Sequence, residues 1–335
     1  MSRPELSIII PVFNDQDSIA PTVFSVQQQS FKDVEVIVVD DGSTDATLQV
    51  IQKIASQDSR IRVYHQANAG ASSARNTGLE VATGRLVLFL DADDQYANAS
   101  ALADIVEQMT AFQADLLLFG FKINGTDGNR ANDTHVLQQL GHQTLTKEQV
   151  LAEILDPNEG IKGYVWRACY QTELLQKHHV RFTPTMKIFE DQKYLFEACL
   201  GAAKIAMIAD EYYVYHLTDN SMSTHYVPSM ANDAIAIEQW LSAHVVRRFP
   251  ELTSVYLYGE ADMYLRVVQN EFKHDGVGYL KKCQFIYRFK RRFGIRRVLR
   301  SLRLRSPMLS RNSAIGLLLF RLELEPLYGL IYRFR

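Results

Sequence analysis

Apolar and polar positions along the first hundred residues fall into short, regularly spaced blocks. Leu6-Ser-Ile-Ile-Ile10 is an apolar run stopped by Pro11-Val12-Phe13-Asn14, and Val34-Glu-Val-Ile-Val-Val39 is a second, ending at Asp40-Asp41-Gly42-Ser43. Ile61-Arg-Val-Tyr64 is a shorter third. Leu86-Val-Leu-Phe-Leu90 is the fourth, and it runs straight into Asp91-Ala92-Asp93-Asp94. Apolar runs of this length, rich in β-branched residues and bounded by turn-formers, predict strands buried on both faces. Between them the spacing predicts helices over 18–28 (Pro21 falling in the tolerant first turn), from Thr44 or Asp45 to Ile54, and around Ala74-Arg75-Asn76. Strand–helix alternation with short connections predicts an α/β fold, a mostly parallel sheet with helices on both faces.

Further along, a helix is expected over 99–113, a strand over 115–121, and a helix to Leu155 opened by the capping box Thr146-x-x-Gln149. Ile188-Phe-Glu190-Asp191 opens another helix to about Leu200, and Tyr212-Tyr-Val-Tyr-His216 reads as a strand followed by a polar loop, Asn220 to Thr224, able to order as a lid. Beyond Ser229 the period turns helical throughout. The expected division is therefore an α/β domain over 1–228 and a helical region over 229–335.

The first, second and fourth strands each end in polar residues. Ligands of open α/β sheets bind outside the carboxyl ends of the strands, so Pro11 to Asn14, Asp40-Asp41 and Asp91 to Asp94 are expected to share one crevice. Three carboxylates within four positions repel one another unless a cation lies among them. Oxygen-only ligands suit Mg²⁺ or Mn²⁺ that also holds phosphate oxygens. The plainer reading of this stretch is an acidic turn that caps the next helix.

Composition narrows the field. The 335 residues are 47% hydrophobic and 22% charged, enough to bury a core and unlike a disordered chain. The three cysteines are far apart, with no CxxC or zinc spacing, and read as reduced, buried small hydrophobes of a cytosolic protein. The first strand begins by Leu6, leaving no room for a signal peptide, and no apolar run approaches the roughly 18 residues of a membrane span. A net charge of −2 hides an asymmetry: residues 277–335 carry 15 Lys+Arg and 2 Glu, or +13, leaving −15 for the rest. Neither GxGxxG nor GxxxxGK[ST] is present, against a dinucleotide dehydrogenase or a P-loop enzyme.

Pro11-Val-Phe-Asn14, Val38-Val-Asp-Asp-Gly-Ser43, Asn68-Ala-Gly70 with Ala74-Arg-Asn76, and Leu90-Asp-Ala-Asp-Asp94 follow one another as in family 2 glycosyltransferases, and the chain closely resembles their bacterial inverting members. The match is specific over 6–94 and looser to about Tyr226. The resemblance implies a GT-A fold, Rossmann-like, followed by the C-terminal helical region. It implies that Pro11, Val12 and Phe13 pack near a nucleotide base, and that Asp41 accepts a hydrogen bond from it. Asn68 should lie by the base or ribose, Arg75 by the diphosphate or sugar, and Asp91 and Ala92 by the ribose. Asp93, in an Asp-X-Asp motif, should bind Mn²⁺ or Mg²⁺. Trp166 lies in the acceptor-side segment, where it either stacks on sugar or packs in the core. Glu190-Asp191 matches the family's acidic pair, with Asp191 the catalytic base. A carboxylate at a helix N-terminus is expected to keep a low pKa.

The expected reaction is inverting transfer from a nucleotide diphosphate sugar, most simply UDP-linked, to a glycan or polyprenyl-linked acceptor of a bacterial surface polysaccharide. Two rivals stay open: a nucleotidyltransferase on a similar sheet, and a non-catalytic membrane-surface scaffold. In the tail, Phe285 to Arg305 alternates aromatic and aliphatic residues with arginine at helical spacing, and Leu317 to Phe320 and Leu327 to Phe334 add apolar surface. A basic amphipathic helix reads as an interfacial anchor on an anionic membrane, so the expected location is peripheral, on the cytoplasmic face. The charge also suits nucleic acid, but no recognisable nucleic-acid module is present. Oligomeric state stays open.

Overall fold

The computed structural model describes residues 3–124, 134–158, 160–217 and 225–333. The whole of the expected lid, Asn220 to Thr224, and most of the polar loop after residue 124 lie outside the described residues. The chain divides into two compact units, one of residues 1–147 with 162–217 and one of 148–161 with 218–335.

The first unit is built on a mixed sheet. Its strands are β1 (Leu6–Val12), β2 (Val34–Asp40), β3 (Ile61–His65), β4 (Leu86–Phe89), β5 (Gln95–Tyr96), β6 (Leu116–Asn124), β7 (Gln143–Leu145), β8 (Ala168–Gln171) and β9 (Ile205–His216). They run in the order β3-β2-β1-β4-β8-β6-β9-β5, with β7 also on β9. The contiguous block β3-β2-β1-β4 is parallel, as is β6 with β9, whereas β5, β7 and β8 pair antiparallel. Every residue of β1 and β2 is buried, which accounts for their mostly apolar sequences; the polar pair that interrupts them, Ser7 and Glu35, is hydrogen-bonded together (Ser7 Oγ donates to Glu35 Oε1, 2.6 Å). Helices α1 (Ile19–Gln27), α2 (Thr47–Ala55), α3 (Ala71–Val81), α4 (Ala101–Ala111), α5 (Thr134–Leu140), α7 (Thr172–Lys177) and α8 (Glu190–Gly201) complete this unit, and α6 (Lys147–Leu155) leads into the second. Register sets the working edge. Val12 pairs with Asp40, so β1 and β2 end level, while Phe89 at the end of β4 pairs with Ile9, three residues earlier; the strands being parallel, Asp41 and Asp91 leave from the same edge of the sheet.

The short strands β5, β7 and β8 have no counterpart in the sequence reading. Two to four residues are too few to display a period, and β8 becomes a strand only because β4 and β6 flank it. The unit boundary also differs from a division after residue 228. Residues 148–161 pack with the helical unit, where Gly259 lets the Leu155 carbonyl oxygen approach to 2.8 Å of where a Cβ would sit.

The second unit contains α9 (Met230–Leu241), α10 (Thr253–Phe272), α11 (Tyr279–Phe293), α12 (Ile295–Ser301), α13 (Arg311–Arg321) and α14 (Glu325–Arg333). Tyr264 of α10 is fully buried and packs on Phe289, Phe293 and Phe320 at ring separations of 5.6, 6.1 and 5.2 Å. This corrects the reading of 285–305 as one continuous anchoring helix. Gly294, at φ +74°, breaks it into α11 and α12. Ile286, Phe289, Phe293, Ile295, Val298 and Leu299 are all buried, so the apolar side of that stretch is spent on the unit's own core. Its arginines face solvent. No helix among the described residues is long and apolar enough to cross a membrane.

Candidate active site

The sheet edge carries three groups of side chains. At the end of β2, Asp41 is 3% exposed and its carboxylate is almost fully used: Oδ1 accepts from the Ala69 amide (2.9 Å) and Gln66 Nε2 (2.7 Å), and Oδ2 accepts from the Gly70 amide (2.7 Å). Of about four acceptor positions on a carboxylate, one is left for a ligand N–H. Asp41 therefore moulds the 66–70 loop that holds the exposed Asn68. Gly42 permits the fold-back: its φ is +78°, and a Cβ there would stand 2.8 Å from the Asn68 amide nitrogen. At the end of β1, Pro11 and Val12 are buried, whereas Phe13 is 45% exposed and is not core.

Arg75 organises the second group. It lies on α3, is 5% exposed, and donates from Nη2 to Asp91 Oδ1 (2.7 Å) and from Nη1 to Asp191 Oδ1 (3.1 Å). Its guanidinium also lies over the Phe182 ring, 5.3 Å from the centroid. Burial works against its charge, but Asp191, Asp91 and Glu190 carry its pKa above the ordinary value. The resemblance placed Arg75 by the diphosphate; the structure commits its two terminal nitrogens to carboxylates. A single planar fork thus ties the end of β4 to the start of α8, Arg75 itself standing 116 residues before Asp191 in the sequence. The cation at the mouth of α3 is instead Lys187, whose Nζ lies 2.5 Å from where a Gly70 Cβ would be.

Glu190 and Asp191 occupy the first turn of α8, aimed by Phe189 in a left-handed conformation (φ +69°). The expected low pKa of Asp191 does not hold. Burial raises it, and the lowering pull of Arg75 and of a hydrogen bond from the Val165 amide does not compensate. Glu190 is pushed up as well, first by burial and then by the Asp191 charge. The helix N-terminus is outweighed by the partial desolvation of these two half-buried carboxylates.

The third group follows β4. Asp94 is fully buried, accepting from Tyr213 Oη (2.7 Å) and the His216 amide (2.7 Å), with His216 Nδ1 3.8 Å away. Tyr213 Oη also accepts from the Asp91 amide (3.2 Å), so Tyr213 and Asp94 brace the turn. Ala92 is buried, and its carbonyl accepts from Thr22 Oγ1 (2.7 Å). Among the described residues Asp93 forms no ion pair, and burial together with Asp94, Asp91 and Asp15 pushes its pKa up to about 7. Uncompensated negative charge at one half-buried carboxylate suits a divalent cation. However, no group of three His, Cys, Asp or Glu among the described residues is arranged to hold a metal. These two observations fit an ion taken by Asp93 with the remaining ligands from phosphate oxygens and water, the usual Mg²⁺ arrangement.

Trp166 is corrected to core: 2% exposed, it stacks on Tyr213 (4.1 Å) and Tyr164 (4.7 Å), leaving no ring face for a sugar. Several contributors were not singled out in the sequence. Tyr213 and Gln66 act through other side chains and carry no local signal. Asp15, whose pKa is raised by burial and by Asp45 and Asp91, follows Asn14 directly and was visible as a further acidic residue near the edge.

A parallel α/β block whose strand ends gather the 66–70 loop and a carboxylate cluster fits the GT-A class of transferase folds. Residues 7–184 match the profile of Glycosyl transferase family 2, and the chain belongs to that family. It is 33% identical over 230 residues to the uncharacterised glycosyltransferase EpsJ of Bacillus subtilis, covering 68% of this chain and 65% of EpsJ. It is 29% identical over 228 residues to the poly(ribitol-phosphate) β-N-acetylglucosaminyltransferase TarS of Staphylococcus aureus, covering 67% of this chain and 38% of TarS. These matches span less than two thirds of either relative. Among solved structures, S. aureus TarS 1–349 in complex with UDP-GlcNAc superposes with a TM-score of 0.70 at 22% identity, over 98% of this chain and 90% of that one.

Proposed function

We propose that this chain transfers a sugar from a UDP-sugar to a hydroxyl of a glycan or lipid-linked glycan, inverting the anomeric centre, in the synthesis of a bacterial surface polysaccharide. The observation that carries the reading is the shared guanidinium: Arg75 holds Asp91, from the Asp-X-Asp turn, and Asp191, from the acidic pair, within 2.7 and 3.1 Å of its own nitrogens. Family membership and the likeness to a fold that binds UDP-GlcNAc support the donor class.

In this reading the exposed ring of Phe13 covers the uracil, with Pro11 and Val12 behind it, and Asp41 receives the uracil N–H on its remaining acceptor position. Asn68, Asp91 and Ala92 border the ribose. Asp93 takes a divalent ion, Mn²⁺ or Mg²⁺, which when bound neutralises diphosphate charge as UDP departs. Asp191 accepts the acceptor's hydroxyl proton while that oxygen bonds to the anomeric carbon. The anomeric carbon–oxygen bond breaks with its electron pair going to UDP, and no carboxylate nucleophile is required. A base whose pKa is raised by burial accepts a proton near neutral pH better than an ordinary aspartate. Glu190 adds negative charge beside it when ionised.

Asp191→Asn should abolish transfer while UDP affinity, measured calorimetrically, stays within about threefold, a change under 1 kcal/mol. Surviving transfer would overturn the assignment of the base.

A further inference from the structure

Among the described residues, the helical unit leaves an apolar face of α13 exposed. On α13, Gly316, Leu317 and Phe320 turn inward; a Cβ on Gly316 would meet Tyr328 and Leu265, and Phe320 packs on Tyr264. Ile315, Leu318 and Leu322, at three- and four-residue spacing, turn outward with 44, 43 and 57% exposure. Residues 314–320, Ala-Ile-Gly-Leu-Leu-Leu-Phe, contain no polar side chain, so the body of α13 is apolar on both sides. A helix apolar all round is ordinarily covered on all sides. Leu324 and Leu327, 42 and 45% exposed, extend the ridge past the end of α13.

Charge around the ridge identifies the cover. Arg321 at its end donates to the Leu299 and Leu302 carbonyls, and Arg296 pairs with Glu323, which brings α12 alongside. Arg297, Arg300, Arg303 and Arg311 are exposed on the flanking segments. The two acids of 277–335 are already engaged, Glu325 by the buried Lys290 and Glu323 by Arg296. An apolar ridge collared by exposed guanidiniums complements a surface that is greasy within and anionic at its rim.

We propose that the outer ridge of α13, Ile315, Leu318 and Leu322 with Leu324 and Leu327, is the face by which this protein sits on an anionic lipid bilayer, its arginines at headgroup level. This deepens the peripheral-membrane part of the sequence reading and moves it from 285–305, whose apolar side is internal, to α13. It does not depend on the chemistry proposed for the sheet edge.

The test is co-sedimentation of the full chain with vesicles of phosphatidylcholine alone or with one third phosphatidylglycerol. Wild type should bind the anionic vesicles and largely ignore the neutral ones, releasing as salt is raised. Each half-exposed side chain loses roughly half the transfer energy of a buried one, so Ile315→Ser/Leu318→Ser/Leu322→Ser should bind about a hundredfold more weakly. These positions face outward, and an unchanged far-ultraviolet spectrum confirms folding. Equal binding by the triple variant, or no wild-type binding to anionic vesicles, would overturn the proposal. So would a wild-type dimer in sedimentation equilibrium that the substitutions dissolve, since the ridge would then be covered by a second copy. UDP-sugar hydrolysis in vesicle-free solution separates the two claims. The triple variant should hydrolyse at the wild-type rate, and absent hydrolysis in both with vesicle binding intact would strike only the proposed reaction.

Discussion

Replacing Arg75 by methionine keeps the length of the side chain and removes its charge. Asp91 and Asp191, with side chains 26 and 21% exposed, then lose the fork that reaches them at 2.7 and 3.1 Å, while Arg75 itself is only 6% exposed along its side chain. Breaking a buried ion pair from one side costs about 3–5 kcal/mol, and partial solvation of the two acids draws this toward the lower end. Loss of the contact with Phe182 adds about 0.5–1 kcal/mol. The expected loss is therefore about 3–4 kcal/mol in the first unit. The chain has two tryptophans, Trp166 in that unit and Trp240 in the other, so urea unfolding followed by fluorescence in a Trp240→Phe background reports the right transition. A second readout is independent of folding. Arg75 is the charge that lowers the Asp191 pKa. Without it the base ionises only at higher pH, and the acid limb of kcat/KM should move up. Arg75→Lys should fall between, because one ammonium cannot fork to two carboxylates. A methionine variant as stable as wild type to within about 1 kcal/mol, with an unmoved acid limb, would refute the bridge as the link between the strand end and α8.

Phe13→Ala should raise KM for the UDP-sugar about tenfold while changing stability by no more than about 0.5 kcal/mol, since the ring is half exposed and available to a base; an unchanged KM would remove it from the donor site. Glu260 of α10 is 6% exposed, and burial with the nearby Glu238 pushes its pKa from 4.5 up to about 8. The folded state then holds one more proton than the unfolded state between those values, so stability falls as pH rises, by up to about 1.4 kcal/mol per unit, and levels off above pH 8. Denaturation at several pH values from 5 upward should show Glu260→Gln losing that slope; parallel profiles would assign the pH dependence elsewhere.

The local pattern of the sequence determined the parallel block and its chemistry. Strands buried on both faces are mostly apolar runs, so β1, β2 and β4 were visible in the sequence, and their abrupt polar ends marked Asp41, Asp91 and Asp93. What a side chain does once there was decided by partners far away in the chain. Arg75 was legible as a site residue but not as the clasp of Asp91 and Asp191, because that requires α3, β4 and α8 to meet. Trp166 was equally apt for sugar or core until Tyr164 and Tyr213 closed around it. Asp94 became a brace only when β9 delivered Tyr213 and His216. The tail repeats the lesson. Amphipathic spacing identifies an apolar side without saying what covers it, and tertiary packing turned the side of α11 and α12 inward while leaving that of α13 uncovered. Periodicity records which residues avoid water; only the assembled fold selects the neighbours that replace it.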